Sequence, residues 1–461
     1  MAANIIIKNS APRPDGIRKG AQAVALRISE TKAAFYKVRM IGFQDMLCND
    51  KGYHFYKDCY IEGTADFIFG RIKSLYVNTQ LHVLGDTGMT VITAQARDTT
   101  TEDCGYSFVH GQVTGVETGA YLGRAWMASP RVIFAYTTMS SVVNLAGWDN
   151  GMKPERENGG SPQVIKVRKD GSGDFSNICD AINSIPSGNT KRVIIWIGAG
   201  EYVEKIKIES AKPFITFYGS PDAMPTISYS GTAFQYGTVD SASLIVDSDY
   251  FMAANIIIKN SAPRPDGVRK GAQAVALRIS GTKAAFYKVR MIGFQDTLCD
   301  DKGYHFYKDC YIEGTVDFVF GRAKSLYVNT QLHVLGDTGM TVITAQARDT
   351  ATEDCGYSFV HGQVTGVGTG TYLGRAWMAS PRVIFAYTTM SLVVNPAGWD
   401  NGMKPERERT VYFAEYKCSG PGANPSGRVK YTKPLSEAEV LPFISLGYIQ
   451  GSKWVLPPPT P

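Results

Sequence analysis

The sequence predicts an all-β solenoid, with short strands stacked in coils, and three observations carry that prediction. Short apolar runs such as Arg192-Val-Ile-Ile-Trp-Ile197 alternate with Gly, Asn, Asp and Lys turns at intervals of roughly 7 to 10 residues, without a long 3.6-residue period. Gln273, Gln295 and Asp317 recur 22 residues apart, as polar side chains stacked one coil above another would. Residues 1–157 recur as 252–408 at a constant offset of 251, with twelve substitutions, so one architecture is written twice.

Taken in chain order, the first copy (1–157) begins at Met1, whose counterpart Met252 lies inside the continuous run Asp249-Tyr-Phe-Met-Ala253; it reads as a truncated duplicate. Residues 158–162, Asn-Gly-Gly-Ser-Pro, have linker composition. Residues 163–461 are expected to form the complete unit, because there the second copy is preceded by 163–251 and followed by 409–461. A helical pattern at 177–185 places Ile178, Ala181, Ile182 and Ile185 on one face, which suits an N-terminal cap on the first coil.

Composition narrows the function classes. Hydrophobic residues make up 44% and charged residues 20%, values of a chain that buries a sizeable core. No stretch reaches the ~18 apolar residues of a membrane helix. Met1-Ala-Ala-Asn-Ile-Ile-Ile-Lys-Asn9 lacks the basic start and long apolar run of a secretory signal, so export is not expected from the sequence itself. The net charge of +6 suits an acidic polymer, and equally an ordinary solvated surface. Eight cysteines include no Cys-x-x-Cys pair, which argues against structural zinc and leaves disulfides and buried thiols open. There is no Gly-x-Ser-x-Gly elbow and no Walker A loop, and Gly171-Ser-Gly173 lacks the third Gly of a dinucleotide loop. The six His residues fall in the duplicated segment outside any evident catalytic motif.

The densest constellation is Gly293-Phe-Gln-Asp-Thr-Leu298, Gly314-Thr-Val-Asp-Phe-Val-Phe-Gly321 and Leu373-Gly-Arg-Ala-Trp377. Asp296 and Asp317, 21 residues apart, would lie on adjacent coils roughly 5 Å apart along the axis. Two such carboxylates cannot both ionise cheaply, so one becomes an acid and the other stays an anion. In a Gly-rich β protein most Asp residues are turn residues. Val316, Phe318 and Phe320 around Asp317 argue instead for a buried carboxylate that needs a partner, and Arg375 can grip it by two hydrogen bonds.

Together with Gly200-Glu-Tyr-Val-Glu204, these motifs over residues 163–461 resemble the plant pectin methylesterases, of the short type without an inhibitor-like pro-region. The resemblance implies a right-handed parallel β-helix and hydrolysis of galacturonate methyl esters in pectin, releasing methanol, without metal or organic cofactor. Carried over, Asp317 is the nucleophile, Asp296 the general acid and then base, and Arg375 the orienter of Asp317. Gln273 and Gln295 become the oxyanion donors, and Trp377 and Phe320 line the sugar site. Cys299 stands where the family pattern often has Tyr. The resemblance also implies a cell-wall location and a proteinaceous pectin methylesterase inhibitor as partner, with no nucleic acid and no membrane.

The first copy retains Gln22, Gln44, Asp45, Asp66, Arg124 and Trp126, with Met46 in place of Thr297. It lacks roughly 90 residues of starting coils and the C-terminal tail, so its ends should expose strand edges and apolar core. The expectation is an inactive or poorly folded duplicate. A pectin-binding β-helix without turnover is the rival reading of the whole chain, and a polysaccharide lyase or hydrolase is a third.

Overall fold

The computed structural model describes all residues except 15–21, 86–89, 100, 117–118, 128, 145–146, 150–161, 452–453 and 459–461. The chain divides into two compact units, 1–153 and 154–461. The linker expected at 158–162 lies, apart from Pro162, outside the described residues.

In unit 154–461 successive strands fall in different sheets, and each pairs in parallel with a strand one coil later. The result is one eleven-stranded and two eight-stranded parallel sheets, a parallel β-helix. Inward-facing aromatic residues explain why the coils register: Phe286, Tyr307, Tyr327, Phe359 and Phe385 stack in sequence with ring centroids 4.3–4.8 Å apart. One corner is turned repeatedly by a single residue in the left-handed region, including Lys288, Asp309, Asn329 and His361 (φ 50–55°). Asn and Asp tolerate that conformation, and Asn329 Nδ2 donates to Asp309 Oδ1 at 2.6 Å.

Coil length is not the constant 22 residues expected from sequence. Phe286 pairs with Tyr307 and Tyr307 with Tyr327, steps of 21 and 20, whereas Tyr327 to Phe359 is 32 and Phe359 to Phe385 is 26. Loops outside the strands absorb the difference. In the sheet carrying Asp317 the register runs Leu277, Leu298, Val319, a step of 21, so Asp296 and Asp317 are in register while Gln295 is offset from them by one and Gln273 by two.

The N-terminal cap forms as the helix Ile178–Asn183, burying Ile178, Ala181 and Ile182. Asn177 caps it, and the Glu204 carboxylate accepts from the N–H groups of Ile178 and Cys179 at 2.9 and 2.8 Å, favourable at a helix N-terminus. At the far end Tyr412–Tyr416 pairs with Arg382–Ala386, and Phe413 stacks on Trp399 at 4.4 Å. Tyr448, Ile449 and Trp454 then cover Phe306 and Leu326.

Unit 1–153 has three six-stranded parallel sheets around its own core, which includes Tyr56, Phe67, Tyr76 and Phe108. Ala2–Ala3, Ile6–Lys8 and Leu26–Ile28 are outermost at one end; Val132–Ala135, Thr138–Met139 and Trp148–Asp149 are outermost at the other. Their counterparts in unit 154–461 each have a further strand or the C-terminal segment over them. All eight cysteines are free thiols. No helix among the described residues is long and apolar enough to cross a membrane.

Candidate active site

Asp296 lies in the turn between Arg290–Ile292 and Leu298–Asp300, and Asp317 lies in Val316–Gly321 on the next coil. The Asp296 N–H donates to the Val316 carbonyl at 3.0 Å, tying the two turns together. Both aspartates occupy the left-handed region, φ 66° and 49°, which a non-glycine residue holds only where its surroundings over-determine it. Next to Asp296 the buried Thr297 hydroxyl is 2.8 Å from the Glu313 carbonyl and 3.3 Å from that of Phe294, but Asp45 holds φ 58° with Met46 in that place, so the turn does not depend on this hydroxyl. For Asp317 the determinant is a β-bulge: pairing with Val342–Gln346 slips between Val316 and Val319, turning the carboxylate out of the alternation. Gly321, at φ 124°, ends this strand where a Cβ would collide with the Asp300 carbonyl.

Asp317 is buried, and Arg375 holds it with two hydrogen bonds, Nε to Oδ1 at 2.9 Å and Nη2 to Oδ2. Burial pushes the Asp317 carboxyl up and the guanidinium pulls it back, with Asp400 adding a further upward push. The two-pronged cation favours the carboxylate form of Asp317 more than anything beside Asp296 favours that of Asp296. Asp296 is also buried, but its carboxyl has no hydrogen-bond partner among the described residues. Burial raises its pKa well above the ordinary value, and the negative charge of Asp317 raises it further. A carboxyl gripped by a cation beside one without a partner, on adjacent coils, is the kind of unequal pair that nucleophilic attack followed by acid catalysis needs.

Gln273 and Gln295, half-buried beside the aspartates, have side-chain amides with no protein partner among the described residues, so their donors are free. Trp377 is half exposed and packs over Arg375, 4.8 Å from guanidinium carbon to ring centroid. Phe320 is partly buried against Ala242, Ile245, Val275 and Cys299. Among the described residues no group of three or more His, Cys, Asp or Glu could hold a metal ion. The histidines serve structure: His305 is buried between Asp300 and the Gly281 carbonyl, and His361 stacks on Tyr387.

In the other unit Asp66 and Arg124 also pair, but only through Arg124 Nη2 and Asp66 Oδ2; Asp66 Oδ1 and Arg124 Nε are buried without partners. Asp45, half-buried, is raised to about 6, by burial first and then by Asp66, against the pull of Arg124. Gln22 is exposed, Gln44 half-buried, and Trp126 half exposed over Arg124.

Sequence reasoning missed Phe234 and Asp400. Phe234 is exposed next to Gln273, its N–H bonded to the Gly271 carbonyl at 2.8 Å. The aromatic pair Phe234 and Tyr236 in the short run Gly231-Thr-Ala-Phe-Gln-Tyr-Gly237 is the signal that could have found it. Asp400 is in register with Arg375, a partner that sequence spacing does not announce.

A parallel β-helix that sets two buried aspartates on adjacent coils, one gripped by an arginine, beside an exposed tryptophan has the frame of a solenoid hydrolase. The comparisons make the class specific. The pectinesterase family model matches residues 1–155 and 164–452, and the chain belongs to the pectinesterase family, which are carboxylic ester hydrolases acting on pectin methyl esters. It is 61% identical over 294 residues to putative pectinesterase 63 of Arabidopsis thaliana, covering 64% of this chain and 87% of that one. With pectinesterase 1 of Olea europaea it is 59% identical over 300 residues, 65% and 82% of the two chains. Among solved structures, carrot pectin methylesterase superposes with a TM-score of 0.60 at 28% identity, over 65% of this chain and 96% of that one. A pectin methylesterase bound to a hexasaccharide superposes with a TM-score of 0.55 at 25% identity, over 65% and 100%.

Proposed function

We propose that residues 163–461 carry the methyl ester hydrolysis, with homogalacturonan as substrate and Asp317 as nucleophile, and that residues 1–157 are a truncated duplicate without turnover. The observation that carries this reading is the two-pronged grip of Arg375 on Asp317 beside the buried, unpartnered carboxyl of Asp296. An Asp317 oxygen attacks the carbonyl carbon of the methyl ester, and the oxyanion that forms accepts hydrogen bonds from the Gln273 and Gln295 amides, donors typically worth ~3 kcal/mol each. Collapse breaks the ester bond, Asp296 gives its proton to the departing methoxide, and methanol leaves an acyl-enzyme anhydride on Asp317. Asp296, now a carboxylate, takes a proton from water; the hydroxide attacks the galacturonate carbonyl and releases the free acid and Asp317.

Trp377, Phe320 and Phe234 supply flat apolar surface to sugar rings, in keeping with the hexasaccharide bound to the related enzyme. Family membership favours action in the plant cell wall and a proteinaceous inhibitor as partner. The test is methanol release from methyl-esterified pectin by the parent, Asp317→Asn and Asp66→Asn. Asp317→Asn should lose on the order of 10³-fold or more while Asp66→Asn keeps parental turnover. Activity retained by Asp317→Asn would assign the chemistry to Asp66 or to another nucleophile, and an inactive parent would favour a binding protein.

A further inference from the structure

Gln273 does its work from a loop, yet an oxyanion donor has to be fixed before the oxyanion forms. Four backbone and side-chain links fix it, all to residues 231–243. The Ala233 N–H donates to the Gln273 carbonyl at 2.8 Å and the Phe234 N–H to that of Gly271 at 2.8 Å. The Val275 N–H donates to Ser241 Oγ at 3.0 Å, and the Ser243 N–H to the Val275 carbonyl at 3.2 Å. Asn260 joins these segments from below. Its Nδ2 lies 2.9 Å from the Gly231 carbonyl, 2.7 Å from that of Val275 and 3.3 Å from that of Ser241, while its Oδ1 accepts from the Ala262 N–H at 2.9 Å. Asn260 is 3% exposed and Ser241 fully buried, so these bonds form without competition from water.

The first copy supplies the contrast. Asn9, the counterpart of Asn260, keeps the bonds to Val24 and Ala11 at 2.8 and 2.9 Å, which build its own turn. Among the described residues Asn9 makes no bond matching those of Asn260 to Gly231 and Ser241, and Gln22 there is exposed.

We infer that Asn260 and Ser241 are positioning residues for catalysis: they hold the Gly271–Val275 backbone so that the Gln273 amide faces the developing oxyanion. The inference rests on the reading of Gln273 as an oxyanion donor. It gives residues 231–243 a role in turnover beyond covering the next coil.

The experiment is steady-state methanol release by the full chain for Asn260→Ala, Ser241→Ala, Gln273→Ala and the two double variants. The first two should each lower kcat about 10-fold with KM within twofold and the pH profile unmoved, because Asp296 and Asp317 are untouched. In the Gln273→Ala background neither should lower kcat further. Ser241→Ala removes one hydroxyl and decides the matter if Asn260→Ala does not fold. Parental kcat in a folded Ser241→Ala, or losses that multiply with Gln273→Ala, would overturn the positioning role alone. Parental kcat in Gln273→Ala would overturn the oxyanion role and the inference with it.

Discussion

Trp148 and Trp399 stand in the same local sequence, Ala-Gly-Trp-Asp-Asn-Gly, yet the first is 44% exposed and the second 1%. Ile133 and Ile384 repeat the contrast at 50% and 0%, and Met1 and Met252 at 96% and 3%. The pairs differ in what lies one coil away. Trp399 is stacked under Phe413, and Met252 lies in a strand paired with Ile215–Tyr218. In a solenoid each coil's burial is contributed by its neighbours, so two nearly identical segments have different energetics at their ends and similar packing in their middles. The aromatic stack Phe35, Tyr56, Tyr76, Phe108, Phe134 reproduces that of Phe286 to Phe385, with centroids 4.4–4.8 Å apart.

The largest effect that would break this comparison is at its most unequal pair. Trp399→Ala should destabilise its unit by about 3–5 kcal/mol, as truncating a buried large aromatic does, whereas Trp148→Ala should cost under about 1 kcal/mol because the ring is already half in water. Calorimetric unfolding of the full chain, reading the transition each variant moves, measures both. Equal losses would mean that something covers Trp148 in solution.

The active-site residues differ by the same logic. Asp45 is less buried than Asp296, and it is raised only to about 6 where Asp296 is raised well above the ordinary carboxyl value. A carboxyl whose folded pKa is raised keeps its proton after the unfolded chain has lost it, so stability falls as pH rises from the unfolded value through the folded one. For Asp45 the loss runs between about pH 4 and about 6 and is complete above. Asp45→Asn should therefore stabilise the first unit above pH 6, by no more than about 1 kcal/mol once screening at a half-open site is allowed for, and change nothing near pH 4. Asp296→Asn should show the same sign with a window extending to higher pH. Unfolding midpoints at pH 4 and pH 7 for both variants check the order; stabilisation by Asp45→Asn at pH 4 would reverse the sign.

Much of this was legible in the residues. The apolar flanks of Asp317 announced a buried carboxylate, and Arg375 was the cation within reach of it. The helix at 177–185 showed in the spacing of four apolar residues. The coil length did not, because strands specify their own inward alternation while loops of any length between them leave the stack intact; the 22-residue recurrence of Gln273, Gln295 and Asp317 mixes an in-register step of 21 with an offset of one. Asn260 and Ser241 were invisible for a related reason: their partners are backbone carbonyls and amides on other coils, and a backbone group carries no sequence signature.

The smallest effect concerns a substitution that the chain has already made. Asp300 is buried, with Oδ1 2.5 Å from His305 Nδ1 and 3.0 Å from the Tyr307 hydroxyl, and Oδ2 accepting from Tyr327 at 2.6 Å. At the matching position Asn49 receives His54 and Tyr56 on its Oδ1 at 2.8 Å each, and its Nδ2 donates to the Tyr76 hydroxyl at 2.6 Å. Rotating one tyrosine hydroxyl from donor to acceptor lets the network accept an amide, whose Nδ2 also reaches Ser74 Oγ at 3.3 Å, where the matching Ser325 Oγ is buried without a partner. Asp300→Asn should therefore cost about 1 kcal/mol or less, whereas Asp300→Ala, which leaves His305 and two tyrosine hydroxyls without their shared acceptor, should cost about 3 kcal/mol or more. Denaturant unfolding of the two variants against the parent separates these outcomes. Equal losses would show that the second copy depends on the charge of Asp300, and that its core differs from the first in kind as well as in cover.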